Sequence, residues 1–340
     1  MTTPLLRIED LHVRFRTEDG HVYALNGISL DVEPNQVVGL IGESGCGKSV
    51  TALSILQLLQ TPPAEITAGR ILFDGENLLE RSDTEMDEIR GNRISMIYQD
   101  PMKSLNPVLK IGKQVMEPLL AHRDVTKAEA REEAIEMLDA CGLADAERLV
   151  DEYPHSLSGG MRQRVIIAMG LITKPDLVIA DEPTTALDVT TQAKILDLMR
   201  DLQDEFDMGM LYISHNLAAV SEIAEQITVM YAGTVAERCS LDRLFESPLH
   251  PYTRKLTQSI PRIDQTQDRL PTIEGSVPTL DRPPAGCPFA SRCQEYIGDV
   301  CDERVPELLS YRVDQEAACH LYDSATATTP PWEGEHETQS

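Results

Sequence analysis

Gly42-Glu43-Ser44-Gly45-Cys46-Gly47-Lys48-Ser49 has the spacing G-x-x-x-x-G-K-[ST]. Glycines at these places let the backbone curl until several N–H groups face one phosphate. A helix beginning near Lys48 adds its positive dipole end. Lys48 is then placed to reach the outer phosphates of a nucleotide, and the Ser49 hydroxyl to ligand Mg²⁺. The nucleotide-binding stretch is read as Gly42 through Val50.

A second chemical feature lies far downstream. Asp181-Glu182 closes the apolar run Leu177-Val178-Ile179-Ala180. A carboxylate at such a strand end can hold Mg²⁺ or its waters, and the next one can polarise an attacking water. Alone, the pair would read equally well as a solvated strand end. After a phosphate-binding loop, the catalytic reading prevails.

These groups need elements to hold them. Val37-Val38-Gly39-Leu40-Ile41 is short and continuously apolar, as a strand buried on both faces must be. The pattern predicts strands across residues 6 to 41, then a helix through Ala52, Leu53, Leu56 and Leu59. Ile71-Leu72-Phe73-Asp74-Gly75 carries a hairpin signal, and 94 to 98 reads as another strand. Ala134, Ile135, Leu138 and Cys141 recur at helical spacing within residues 105 to 156, which look like a helical insert. Leu177–Ala180 and Leu211–Ser214 are further buried strands, with a helix through Ile195, Leu196, Met199 and Leu202 between them. Alternation of this kind gives a mostly parallel sheet.

Charge and composition narrow the function. The 340 residues hold 56 acidic and 30 basic side chains, a formal net charge of -26. Nucleic-acid binding needs a cationic surface, so that class is excluded. Only 8 of the basic residues are Lys. An ordinary acidic protein is the plain reading; a carboxylate-rich surface adapted to a salty cytoplasm is the sharper one. The N-terminus has no signal-peptide pattern, and no stretch reaches the roughly 18 apolar residues of a membrane span. A membrane role would come through a partner.

Further motifs now make the chain resemble a known family. Leu157-Ser158-Gly159-Gly160-Met161 looks like the LSGGQ signature of ABC ATPases, with Met161 where many members have Gln. Tyr98-Gln99-Asp100-Pro101 resembles their Q-loop, Ala186-Leu187-Asp188 their D-loop, and His215 their switch histidine. Phe15 stands where the family stacks an aromatic ring on adenine. The resemblance implies Glu182 as general base, and Gln99 between the Mg²⁺ site and the membrane-facing groove. His215 would hold the γ-phosphate. Ser49, Gln99 and Asp181 would serve Mg²⁺. Ser158, Gly159 and Gly160 would bind the γ-phosphate of a partner's ATP, so that two chains share two nucleotides.

A narrower resemblance covers nearly the whole chain. Gln99-Asp100-Pro101-Met102, Ser104-Leu105-Asn106-Pro107, His250-Pro251-Tyr252-Thr253 and Cys287-Pro288-Phe289 look like the oligopeptide/dipeptide permease ATPases. That family imports peptides, nickel and some sugars. The resemblance implies two membrane permeases, an extracytoplasmic binding protein and a second, usually different ATPase, with this chain on the cytoplasmic face of the membrane. A soluble non-transport ABC ATPase is the rival, and a nucleotide-gated scaffold without turnover is another. The single cassette, the acidic charge, and the intact Glu182 and His215 argue against them.

Four of the seven cysteines, Cys287, Cys293, Cys301 and Cys319, cluster late in a Pro- and Gly-rich segment. Four thiolates suit a tetrahedral metal or an iron–sulfur cluster, although none of the spacings is the short one usual for zinc. Some members of the permease family carry a [4Fe–4S] cluster here, which the resemblance implies for this chain, with Zn²⁺ or four free cysteines as the alternatives. The expected architecture is therefore an α/β P-loop NTPase of the ABC type with a mostly parallel sheet. An ATPase domain spans 1–260, with a helical subdomain inserted at about 105–160. A cysteine-bearing extension follows at 261–323, and a disordered tail at 324–340.

Overall fold

The computed structural model describes residues 3–98, 104–185, 187–259 and 273–323. Gln99 to Met102, Ala186 and the tail from Ser324 lie outside the described residues, so the Q-loop and disorder expectations are not placed.

Strands β1 (Leu6–Thr17), β2 (Gly20–Val32), β4 (Ala64–Phe73) and β5 (Glu76–Asn77) form an antiparallel sheet in the order β2-β1-β4-β5. The Asp74-Gly75 turn joins β4 to β5 as expected, with Phe73 opposite Glu76. The larger sheet contains β3 (Val37–Ile41), β6 (Ile94–Ile97), β7 (Leu177–Asp181), β8 (Gly209–Ser214), β9 (Gln226–Tyr231), β10 (Thr234–Ser240), β11 (Leu309–Arg312) and β12 (Gln315–Ala317). Its order is β11-β12-β10-β9-β3-β8-β7-β6. The five strands β9, β3, β8, β7 and β6 run parallel, and β10, β12 and β11 close one edge antiparallel.

Every residue of β3, β7 and β8 is buried. In β3 the two faces serve two cores. Val37 and Ile41 join the core shared with the helices, while Val38 and Leu40 join the core beneath the antiparallel sheet. Period-two alternation inside an all-apolar run is what a central parallel strand requires. The carboxyl ends of these strands align: Ile41 pairs with Ser214, and Asp181 with Ile213.

Helix α1 (Lys48–Ile55) follows β3, and α2 (Asp83–Ile89) follows β5. The first helix is shorter than its apolar pattern. Leu56 and Leu59 still face the core, but Gln57 turns left-handed at φ 50. Its N–H donates to Ser54 and the Leu58 N–H to Leu53, a bonding pattern that ends the helix. The helical insert holds α3 (Ile111–His122), α4 (Lys127–Ala140) and α5 (Ala146–Leu149). Thr126 and Glu129 form a capping box on α4, whose Ala134 and Leu138 are fully buried. Helix α6 (Gly159–Leu171) leads into β7, α7 (Val189–Phe206) joins β7 to β8, and α8 (Leu217–Ser221) follows β8.

Residues 273–323 do not form a separate layer. Strand β12 pairs with β10, placing Ala317 opposite Glu237, and so continues the ATPase sheet. Glu237 is fully buried and burial pushes its carboxyl up. It accepts from the backbone N–H of Leu249 and His250 and from Gln315 Nε2, at 2.9, 2.8 and 2.8 Å. One satisfied buried carboxyl thus ties β10, the loop before residue 251 and β12 together.

Candidate functional site

The loop Gly42–Gly47 runs from the buried end of β3 to the first turn of α1. Two glycines are required by geometry. Gly47 caps α1 at φ 112, where a Cβ would lie 2.7 Å from Leu25 and 3.0 Å from the Ala24 carbonyl. At Gly42 a Cβ would meet the Met230 carbonyl at 2.3 Å. The loop is thus pressed against neighbouring backbone, and side chains there would push it off the helix end.

Lys48 is buried, and its ammonium donates to the carbonyls of Gly42 and Glu43 at 2.8 and 3.2 Å. The charge is held inside the loop's own curl, where a phosphate would meet it. Gly42 to Ser49, apart from the buried Cys46, and Val50 line a solvent-open cleft of about 600 Å³ with Ala24, Glu182, His215 and Leu256. That is ample room for a nucleotide.

Asp181 ends β7, two strands from β3. Burial raises its carboxyl above the usual carboxylate range, opposed by a hydrogen bond from the Ser49 hydroxyl. Its Oδ1 is buried with no hydrogen-bond partner. An unsatisfied carboxylate oxygen beside a serine hydroxyl, under a phosphate loop, fits a hard divalent cation that takes oxygen ligands. Mg²⁺ is such an ion.

Glu182 comes next and adopts a left-handed backbone at φ 49. Its N–H is fixed to the Ile213 carbonyl at 2.8 Å. A non-glycine residue held there costs about 1–3 kcal/mol, and such strain concentrates at working sites. The turn lifts the carboxylate off the strand and into the cleft. Oε1 meets His215 Nδ1 at 2.9 Å, and Oε2 accepts from the Thr185 hydroxyl at 3.0 Å. His215 follows β8 directly and is half exposed, while Glu182 is mostly covered.

The signature residues lie elsewhere. Ser158 caps α6 and accepts from the Met161 N–H at 3.3 Å. Ser158 and Gly159 are exposed and do not line the Lys48 cleft. The first N–H groups of a helix have no partner within it, so this end can receive an anion. Asp188 caps α7 and bonds the Thr191 N–H and hydroxyl at 3.0 and 2.7 Å, which holds its carboxyl below its ordinary range. Phe15 sits on β1 opposite Val22 and Ala64, packed against the second core, and does not line the cleft.

Cys287, Cys293, Cys301 and Cys319 converge on one small cavity, together with His250 and His320. All four are free thiols. Burial pushes Cys287 up to about 11 and Cys319 up to about 12. Among the described residues no group of three or more His, Cys, Asp or Glu is arranged to hold a metal ion. The sequence's expectation of a metal centre thus meets converging thiols without ion-binding spacing.

Sequence reasoning missed three contributors. Leu256 lines the cleft, Tyr252 accepts the Glu43 N–H at 3.0 Å, and Arg292 pairs with the Glu43 carboxylate at 3.1 Å. The stretch His250-Pro251-Tyr252-Thr253 was visible as a motif but carried no role.

Comparison with known proteins agrees with this arrangement. The family described as ABC transporter matches residues 25–185, and the one described as oligopeptide/dipeptide transporter, C-terminal region, matches 236–301. A probable peptide ABC transporter ATP-binding protein of Sinorhizobium fredii is 50% identical over 93% of this chain and 94% of its own length. The dipeptide transport ATP-binding protein DppD of Bacillus subtilis is 48% identical over 94% of this chain and 95% of its own. Among solved structures, the dimeric ATP-binding cassette MJ0796, bound to ADP and Pi after hydrolysis, aligns at TM-score 0.62 and 28% identity. It covers 69% of this chain and 98% of that one.

Glu182→Gln keeps the shape of the side chain but cannot accept a proton. Steady-state hydrolysis should fall about 10² to 10⁴-fold, the usual contribution of a positioned base. Equilibrium binding of ATP should persist. Near-normal turnover would remove Glu182 from that role.

Proposed function

Because the chain belongs to the oligopeptide/dipeptide family of ABC transporter ATP-binding subunits, we propose that it powers the uptake of short peptides through two partner permeases. It is an ATPase, and its cleft is the half-site of a two-chain machine. The observation that carries this reading is the position of Lys48, Glu182 and His215 around one cleft, with Asp181 beside its Ser49 and the signature exposed elsewhere.

In the proposed cycle ATP displaces the loop carbonyls from Lys48, whose ammonium turns to the β- and γ-phosphates. Ser49 and Asp181 would hold Mg²⁺, with Gln99 as a third contributor. When bound, the ion screens phosphate charge and orients the γ-phosphoryl group. Glu182 Oε accepts the proton of the attacking water, and His215 fixes the carboxylate through its 2.9 Å contact. The γ-phosphoryl group leaves ADP as inorganic phosphate. Ser158, Gly159 and Gly160 of a second ATPase chain close over the nucleotide, and Asp188 faces that same junction. The second chain is a copy or a related subunit. The assembly sits on the cytoplasmic face of the membrane, and no described helix is long and apolar enough to cross it.

Reconstitution with the permease pair and a binding protein tests the substrate. Short peptides loaded on the binding protein should raise ATP hydrolysis severalfold. Stimulation by nickel or a sugar instead would transfer the chain to those importers. No co-purifying permease would favour the soluble ATPase.

For the cysteines, we propose a [4Fe–4S] cluster on Cys287, Cys293, Cys301 and Cys319. Their convergence on one cavity supports it. Four cysteine thiolates are the ligand set of such a cluster, and of a tetrahedral zinc site as the alternative. The cluster would stiffen a segment poor in apolar periodicity. Protein purified without oxygen should be brown, with about four irons per chain. Replacing any one cysteine with Ser should bleach it and expose residues 285–320 to protease. Colourless protein with one zinc, or with no metal, would overturn the cluster.

A further inference from the structure

The phosphate loop is held from the C-terminal extension as well as by its own strand and helix. Glu43 is gripped at three points. Its carboxylate takes Arg292, with Nη1 donating to both oxygens and Nη2 to Oε2, all at 3.1 Å. Its N–H donates to the Tyr252 hydroxyl at 3.0 Å, and its carbonyl accepts from Lys48 at 3.2 Å.

Arg292 is fully committed. Its side chain is 8% exposed, against 26% for Glu43. Nε donates to the Glu274 carbonyl at 2.8 Å, and Nη2 to Ile273 and Gly275 at 3.1 and 3.3 Å. Nη1 also reaches the Tyr231 hydroxyl at 3.1 Å. A guanidinium with this many fixed partners has one orientation, and the fork geometry transmits that orientation to the carboxylate. Arg292 itself sits on the single turn Ala290–Arg292, between Cys287 and Cys293. Beneath it, Tyr231, Tyr252 and Phe289 pack ring on ring, with centroids 4.8 to 5.4 Å apart. The turn therefore cannot shift without moving the platform under the loop.

We propose that Arg292 is a positioning residue for ATP binding: through Glu43 the extension fixes the phosphate loop in its receptive curl. Lys48 must leave the Glu43 carbonyl to meet a phosphate, and the ion pair keeps the loop in place when it does. A cassette without this clamp would have to order its loop on binding, at a cost in affinity. The inference rests on the ATP cleft and is independent of the transported substrate; Arg292 lies between Cys287 and Cys293, so the test keeps all four cysteines intact.

The test is a double-mutant cycle on the full chain, read by affinity for a fluorescent ATP analogue and by KM and kcat for hydrolysis. Arg292→Ala and Glu43→Gln should each weaken analogue binding and raise KM roughly tenfold, about 1.4 kcal/mol of binding energy, while kcat stays within about twofold. The double variant should be no worse than either single one, since both remove the same contact. Arg292→Lys should recover part of the affinity, because it keeps the charge but loses the fork. Glu43→Gln is isosteric and keeps the side chain's hydrogen-bonding oxygen, so it reports even if Arg292→Ala folds poorly. Unchanged affinity in Glu43→Gln, or additive losses in the double variant, would overturn the proposal. So would a lowered melting temperature in Arg292→Ala with KM unmoved. Because analogue binding needs no transporter, a failure of peptide stimulation leaves this result standing.

Discussion

Parallel pairing of β3, β7 and β8 is the constraint from which the site follows. Aligning Ile41 with Ser214 and Asp181 with Ile213 brings three strand ends to one edge. Each strand then releases a different chemical group there: the phosphate loop, the carboxylate pair and the histidine. A register slip of one residue in β7 would turn Asp181 away from Ser49 and send Ile179 to the opposite core. Burial on both faces makes such a slip costly, because apolar side chains fill two cores at once. The apolar packing of the sheet therefore also sets the accuracy of the polar cleft.

Within that frame the two carboxylates take different work because their surroundings differ. Asp181 stays in the strand, is desolvated, and keeps one oxygen without a partner beside Ser49. Glu182 leaves the strand through a left-handed turn and meets His215 and Thr185. Adjacent residues of one strand would otherwise point to opposite faces. The strained turn brings Glu182 into the cleft while Asp181 stays buried beside Ser49.

Much of this was legible in the sequence, and the reason is local chemistry. The phosphate loop, the strand-end carboxylates and the signature are contiguous, because each forms one turn or one helix end. Buried strands such as Val37–Ile41 announce themselves by an unbroken apolar run. What escaped was non-local. Glu43 meets Tyr252 and Arg292 across 209 and 249 residues, and no spacing rule spans that distance. Strands β11 and β12 have only four and three residues, too few for alternation to register. The early end of α1 was also hidden, since Leu56 and Leu59 keep the apolar rhythm after Gln57 has broken the helix.

One chain supplies the loop, the carboxylates and the histidine, but its signature helix faces solvent away from them. The central claim is that a second chain's signature closes each cleft. Sedimentation of Glu182→Gln protein with and without ATP measures this most directly. ATP should convert monomers to a species of twice the mass, alone or mixed with the transporter's second ATPase, and Ser158→Arg should prevent it. Glu182→Gln protein that binds ATP yet stays monomeric in both settings would contradict the account.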